Sequence, residues 1–372
     1  MQQRICYYAA MLIRLASNEG YIDARQFYQF STNKGVCSGI FAILVIKKIS
    51  TLLYFHFVPT RRITMSNPDE TNQHLLLQQT YGFPFPADFF SFWHFANTRS
   101  SLFMKSEIGI QLTGPFDLLQ NPTSISAAHD NPLWKARYYD DPPEFLTVAT
   151  GPTDGLHWGY YLDDPQKPPF PLAYYYSNDA FELSIAGNTL FEVVRLEIEL
   201  FYRDNTHYMQ VEPDSYRASY QTKLARLALL REALQTYETG DRSEVGQEYI
   251  KKYSATDTYR QITALTRDGM GIVVPAAQYI PLTGDDIFQT WHPTLTTQEV
   301  QPRAQEAMQL LNQGYPGAAL KLGKDLWLYQ NFRDTCYALL DAAYAALNRP
   351  LLRKLLKLAI AYRAHCDSKH SS

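Results

Sequence analysis

Between residues 145 and 187, four short β-rich runs follow one another closely: FLTVAT (145–150), GLHWGYYLDD (155–164), PLAYYYS (171–177) and FELSIAG (181–187). The turn clusters PTD (152–154), DDPQKPP (163–169) and SND (177–179) separate them. Strands so close in sequence, joined by polar turns, pair with their neighbours, so the pattern predicts an antiparallel sheet. The period then changes. In LFEVVRLEIELFYRD (190–204), Leu190, Val193, Val194, Glu197 and Phe201 fall at helical spacing.

Upstream, 72–79 fits a helix that leads into YGFPFPADFFSFWHFAN (81–97). Pro86 can open a second helix, with Asp88 in its dipole-favoured first turn. Phe89, Phe92, Trp93 and Phe95 give that helix a broad apolar face. IGIQL (108–112) and FDLL (116–119) flank a turn signal at Gly114-Pro115. Downstream, 220–238 reads as a helix with Leu224, Leu227, Leu230 and Leu234 along one side, and 239–258 is polar enough to be helix or loop. GMGIVVP (269–275) reads as a short buried strand. From 302 the chain is helical, over 302–312, 317–330, 334–347 and 350–363, with Pro302, Pro316 and Pro350 at helix starts. YALLDAAYAAL is apolar nearly all round, which predicts a buried helix.

The expected fold class is therefore α+β: an N-terminal antiparallel sheet with flanking helices, followed by a mainly helical C-terminal domain. The division expected is 65–210 for the α+β domain and 211–372 for the helical one, with the boundary near 205–215. Residues 1–64 differ in kind. They hold eight basic and two acidic residues, a net of +6 in a chain whose total is -3, and one of its 21 prolines. Met65 begins a short polar tail before the first helix, so 1–64 reads as an extension outside the fold: an over-called start, or a targeting segment. The run GIFAILVI (39–46) is too short to span a membrane before Lys47-Lys48 interrupts it. Four scattered cysteines (Cys6, Cys37, Cys336, Cys366) form no CxxC or Cys/His cluster, so neither a disulfide framework nor a metal site is indicated. A reducing compartment suits them.

Two acidic stretches could carry chemistry. Asp140, Asp141 and Glu144 in YYDDPPEFLTV could serve as acid, base or metal ligands, or could simply turn the chain into a strand. His157 beside Trp158 could be a base, or a packed strand histidine. The glycines of GMGIVVP precede a strand rather than follow one, so they make no phosphate loop. The basic stretch LLRKLLKLAIAYR (351–363) could face nucleic acid or a membrane, but at helical spacing it reads as a solvated helix face.

Six stretches in order, YGFPFPADFFSFWHF, IGIQLTGPFDLL, RYYDDPPEFLTV, HWGYYLDDP, GMGIVVP and LKLGKDLWLY, resemble the histone PARylation factor family over about residues 72–363. YGFPFPADFFSFW and GYYLDDP also look like the SMI1/KNR4 immunity superfamily, which implies an immunity or scaffold module as the alternative function. The first resemblance implies an accessory protein that binds the catalytic domain of a poly(ADP-ribose) polymerase. It further implies no cofactor of its own, NAD being held by the partner enzyme, and a histone or ADP-ribosylated protein as a further partner. Direct nucleic-acid or membrane binding is not implied. In the family a glutamate is lent to the partner's site as the base for a serine hydroxyl, a weak nucleophile that needs one. By the resemblance, the family's Asp-Glu pair falls on Asn312 and Gln313, and its Tyr-Arg pair on Tyr279 and Ile280. Asp325, in LGKDLW, matches the family pattern. An amide cannot take the serine proton at neutral pH. The resemblance therefore implies partner-binding residues (Tyr279, Ile280, Asn312, Gln313, Asp325) without a catalytic residue. It places the protein in the nucleus of a eukaryote, or in the cytoplasm of a prokaryote.

Overall fold

The computed structural model describes residues 68–98, 108–122, 131, 133–134, 136–179, 181–238, 240–254, 260–284 and 295–370. The expected extension 1–64, with Cys6, Cys37 and the 39–46 run, lies outside them. Residues 68–372 make one compact unit.

Helix α1 (Pro68–Tyr81) leads through YGFPFP into α2 (Ala87–Thr98). As the sequence predicts, α2 begins just after Pro86 and carries Asp88 in its first turn. Its apolar face is fully used: Phe89 stacks on Phe116 at 4.3 Å between centroids, and Phe92 meets Phe191 edge-on at 5.1 Å. Strand β1 (Gln111–Leu112) and the short helix α3 (Pro115–Gln120) follow.

Four longer strands continue the sheet: β2 (Phe145–Thr150), β3 (Leu156–Tyr161), β4 (Leu172–Tyr176) and β5 (Ser184–Gly187). The order is β1-β2-β3-β4-β5, and every neighbouring pair is antiparallel. The architecture is thus α+β, with this sheet in the N-terminal half and a mainly helical C-terminal half. Strand side chains alternate between faces. Trp158 and Tyr160 point into the main core shared with α2. Tyr161 joins Phe145, Tyr175, Leu183 and Met270 in a second, smaller core. Both faces are covered, so β3 is buried throughout. Gly159 permits this closeness, because a Cβ there would sit 2.5 Å from the Leu146 carbonyl oxygen.

Helix α4 (Leu190–Val211) starts at the Thr189 cap, whose side chain accepts from the Glu192 N–H, and runs beyond the expected 204. Only 212–213 separate it from α5 (Asp214–Gln235), and the two helices pack together. Glu199 of α4 ties them. It accepts from Arg195 (2.7 Å) and doubly from Arg231 of α5 (2.5 and 2.9 Å). It also accepts from the Gly246 N–H just before α6 (Gln247–Tyr253). Among the described residues of the polar stretch 239–258, Gln247–Tyr253 is helical.

The C-terminal helices are α7 (Thr297–Asn312), α8 (Pro316–Asp325), α9 (Arg333–Ala346) and α10 (Pro350–His370). Four expectations need correction. GMGIVVP is not a strand: Ile272 makes one isolated bridge to Ala264, because Gly269 (φ 80°) and Gly271 (φ 67°) turn the chain between them. Pro302 does not start α7 but lies inside it. The start belongs to Thr296, which accepts from the Glu299 N–H while the Glu299 carboxylate accepts from the Thr296 N–H, a capping box that outcompetes the proline as a boundary. α8 ends at Asp325, and a separate 3₁₀ turn, Gln330–Phe332, leads to α9. α9 is not buried all round: Cys336, Leu339, Leu340, Ala343 and Tyr344 are buried, whereas Ala345 and Ala346 are exposed. Alanine is apolar yet tolerates water, so the sequence overstated burial.

Candidate partner-binding site

The corner between α7 and α8 is shaped by backbone chemistry. α7 ends in a Schellman motif: the Tyr315 N–H donates to Leu310 O (2.9 Å) and the Gly314 N–H to Leu311 O (3.0 Å). Gly314 adopts φ 96° with open space around it. Pro316 is the first residue of α8, where its missing N–H costs nothing. Asn312 and Gln313 sit on the outside of this corner, both exposed. Among the described residues neither side-chain amide has a hydrogen-bond partner, so both are presented to solvent.

Tyr279 and Ile280 come from a different element but meet the same place. After Pro275, Ala276–Gln278 makes one 3₁₀ turn that ends on Tyr279. This turn lies against the first turn of α8. A Cβ on Gly317 would be 3.0 Å from Gln278 O and 3.1 Å from Tyr279 Cβ. Glycine is what lets the two segments touch. Tyr279 is half-buried and Ile280 is 37% exposed. The fold therefore sets Tyr279 against the first turn of α8, four residues after Gln313.

Asp325 is elsewhere. It is 2% exposed, at the far end of α8 from the corner, and accepts from Lys321 Nζ (2.9 Å) and the Arg267 N–H (2.8 Å). Burial pushes its carboxyl up to about 6, against the pull of Lys321. Its bonds are spent holding the 266–268 turn to α8.

The carboxylate nearest before the corner on α7 is Glu306. It accepts from Thr283 Oγ1 (3.0 Å) and from the Thr283 N–H at both oxygens (3.2 and 3.3 Å). It lies seven residues before Gln313, about 10 Å along the helix axis. With these bonds made, it does not stand in for a carboxylate at the corner.

The acidic stretches serve the interior. Asp141 is fully buried and accepts from Tyr175 Oη (2.6 Å), Thr147 Oγ1 (3.1 Å), the Tyr138 N–H (2.9 Å) and His157 Nε2 (2.9 Å). His157 Nδ1 meets Gly155 O at 2.6 Å. An oxygen thus faces each ring nitrogen of His157. Burial opposes ionisation of Asp141, but His157, the Arg137 guanidinium and Tyr175 outweigh it and hold the carboxyl below its ordinary range. Residues 141 and 157 are far apart in sequence, and only strand pairing joins them. The Asp141–His157 pair was missed for that reason; the one signal for it was a histidine within an otherwise apolar strand. Glu144 accepts from Tyr344 Oη at 2.5 Å. Asp140 faces Arg363 at 3.4 Å, and its carbonyl accepts from Trp327 Nε1 at 2.8 Å. Among the described residues no group of His, Cys, Asp and Glu could hold a metal ion, and no helix is long and apolar enough to cross a membrane. In 351–363, Arg353 pairs with Asp341 and Arg363 is buried over the Trp327 ring, leaving Lys354 and Lys357 exposed.

The chain is 31% identical over 125 residues to Histone PARylation factor 1 of Danio rerio, an alignment covering 32% of this chain and 36% of that protein. It is 25% identical over 321 residues to the Mus musculus protein of the same name (77% of this chain, 86% of that one). With the Bos taurus protein the identity is 26% over 322 residues (78% and 87%). These relatives are eukaryotic. The SMI1/KNR4 likeness finds no support in the matches. The family profile described as Histone PARylation factor 1 matches residues 72–283, more than half of the chain, taking in the sheet and Tyr279–Ile280 but ending before the amide corner. On that match, the chain belongs to the Histone PARylation factor 1 family.

Proposed function

We propose that this chain docks on the catalytic domain of a poly(ADP-ribose) polymerase and modulates its ADP-ribosylation of proteins such as histones, without itself supplying the carboxylate base that transfer to serine needs. The partner holds NAD and performs the transfer; this chain is an accessory rather than an enzyme. Eukaryotic relatives favour the nucleus. The observation that carries the reading is the solvent-facing pair Asn312–Gln313, beside the Tyr279–Ile280 turn. An exposed corner fixed by a Schellman motif suits docking. Its two amides can donate and accept hydrogen bonds but cannot take a serine proton.

The test mixes the full chain, or its Gln313→Glu variant, with a polymerase catalytic domain and NAD, and locates ADP-ribose by mass spectrometry. The wild-type chain is expected to bind and leave serine modification at the level of the polymerase alone. The variant is expected to direct ADP-ribose onto serine. Serine modification by the wild type would mean that a base lies elsewhere, and absence of binding would overturn the docking role.

A further inference from the structure

We infer that Glu306 is a positioning residue, which through Thr283 sets the exposed Ile280–Pro281 arch at a fixed distance from the Asn312–Gln313 corner. The inference rests on the docking role proposed above and adds to it the element that aligns the two halves of the surface.

The arch is anchored at both ends. Upstream, Val274 O accepts from Thr263 Oγ1 at 2.5 Å, and Tyr279 lies against Gly317. Downstream, Leu282 is 5% exposed and packs in the main core. Between them Ile280 and Pro281 are exposed. Leu282 alone is a greasy, non-directional anchor. Direction comes from the next two residues. Thr283 gives Glu306 its N–H and its hydroxyl. Gly284 O accepts from Arg303 Nε at 2.9 Å, while Arg303 Nη1 is held to Glu299 O of its own helix at 2.6 Å. Gly284 has φ 63°, and a Cβ there would lie 2.9 Å from Arg303 Nη2.

Arg303 and Glu306 are three residues apart on α7, hence on one helix face. α7 is the helix that ends in the amide corner. A single rigid rod therefore grips the arch at one end and presents Asn312 and Gln313 at the other. A partner that touches both meets a spacing already set, and does not spend binding energy ordering the arch. None of Thr283, Arg303 or Glu306 need touch the partner for this.

The experiment uses the full chain with Glu306→Ala, Glu306→Gln, Thr283→Val and the Glu306→Ala/Thr283→Val pair. Two quantities are read: the NMR signal of the Ile280 methyl, against that of the buried Ile272, and affinity for a polymerase catalytic domain. Glu306→Ala is expected to shift or broaden Ile280, leave Ile272 in place, and weaken binding roughly tenfold, the worth of a charge-assisted hydrogen bond. Glu306→Gln keeps an acceptor for Thr283 and is expected to restore most of both readouts. Because Glu306 acts through Thr283, the double variant is expected to lose no more than Glu306→Ala alone. An unmoved Ile280 signal in Glu306→Ala would overturn the proposal. So would additive losses, which would place Glu306 in direct contact with the partner. If the wild type binds no polymerase, the docking role fails, while the methyl signals still decide whether Glu306 positions the arch.

Discussion

Asp325 and Lys321 are both buried, 2% and 4% exposed, and 2.9 Å apart. Breaking such a pair leaves a charge in the interior without its partner, which costs about 3–5 kcal/mol. Asp325→Ala is therefore expected to lower stability by about that amount in urea unfolding. Lys321→Met on top of it should recover much of the loss, since the buried ammonium is then removed as well. Gly314 makes the opposite point, that a residue can matter where a side chain would meet nothing. Its φ of 96° is in the left-handed region, and nothing lies within 4 Å of where a Cβ would stand. Gly314→Ala should cost about 1 kcal/mol from backbone strain alone, read as a lower melting temperature. The exposed amides Asn312 and Gln313 next to it have no such structural duty, so their substitution should leave stability nearly unchanged.

At the scale of elements, the Asp141 cluster joins the 138–141 turn to β2, β3 and β4 through Tyr138, Thr147, His157 and Tyr175. Asp141 is held below the ordinary carboxylate range in the fold. Its stabilising effect is therefore complete above its unfolded value, about 4, and is lost as pH falls through the folded value. Asp141→Asn should lower stability at neutral pH and make the decline below pH 4 shallower than in the wild type, seen in urea midpoints across that range. The start of α7 rests on the capping box of Thr296 and Glu299. Thr296→Ala should cost about 1 kcal/mol and fray the first turn, measurable by amide exchange at Glu299 and Val300.

Across the whole molecule, the sheet half and the helical half are braced by polar contacts between residues far apart in sequence. Tyr344 of α9 donates to Glu144, Trp327 to Asp140 O, and Lys324 of α8 to the Tyr161 hydroxyl. Residues 68–372 are accordingly expected to unfold together: circular dichroism and tryptophan fluorescence should give coincident urea transitions in the full chain. Tyr344→Phe should shift both by the same amount, because it removes a brace rather than a local contact. The sequence by itself determined the antiparallel sheet, since short polar turns leave neighbouring strands little else to pair with. It also determined the entry into α2, the Gly314-Pro316 corner and the amides at 312 and 313. These are local properties of spacing, backbone freedom and side-chain chemistry. Only the tertiary structure decided that Asp325 is interior, that Asp141 meets His157, that Ile272 of GMGIVVP makes an isolated bridge to Ala264, and that Tyr279 lies against Gly317. Each of those depends on which distant segment packs against it, and local periodicity carries no information about that choice.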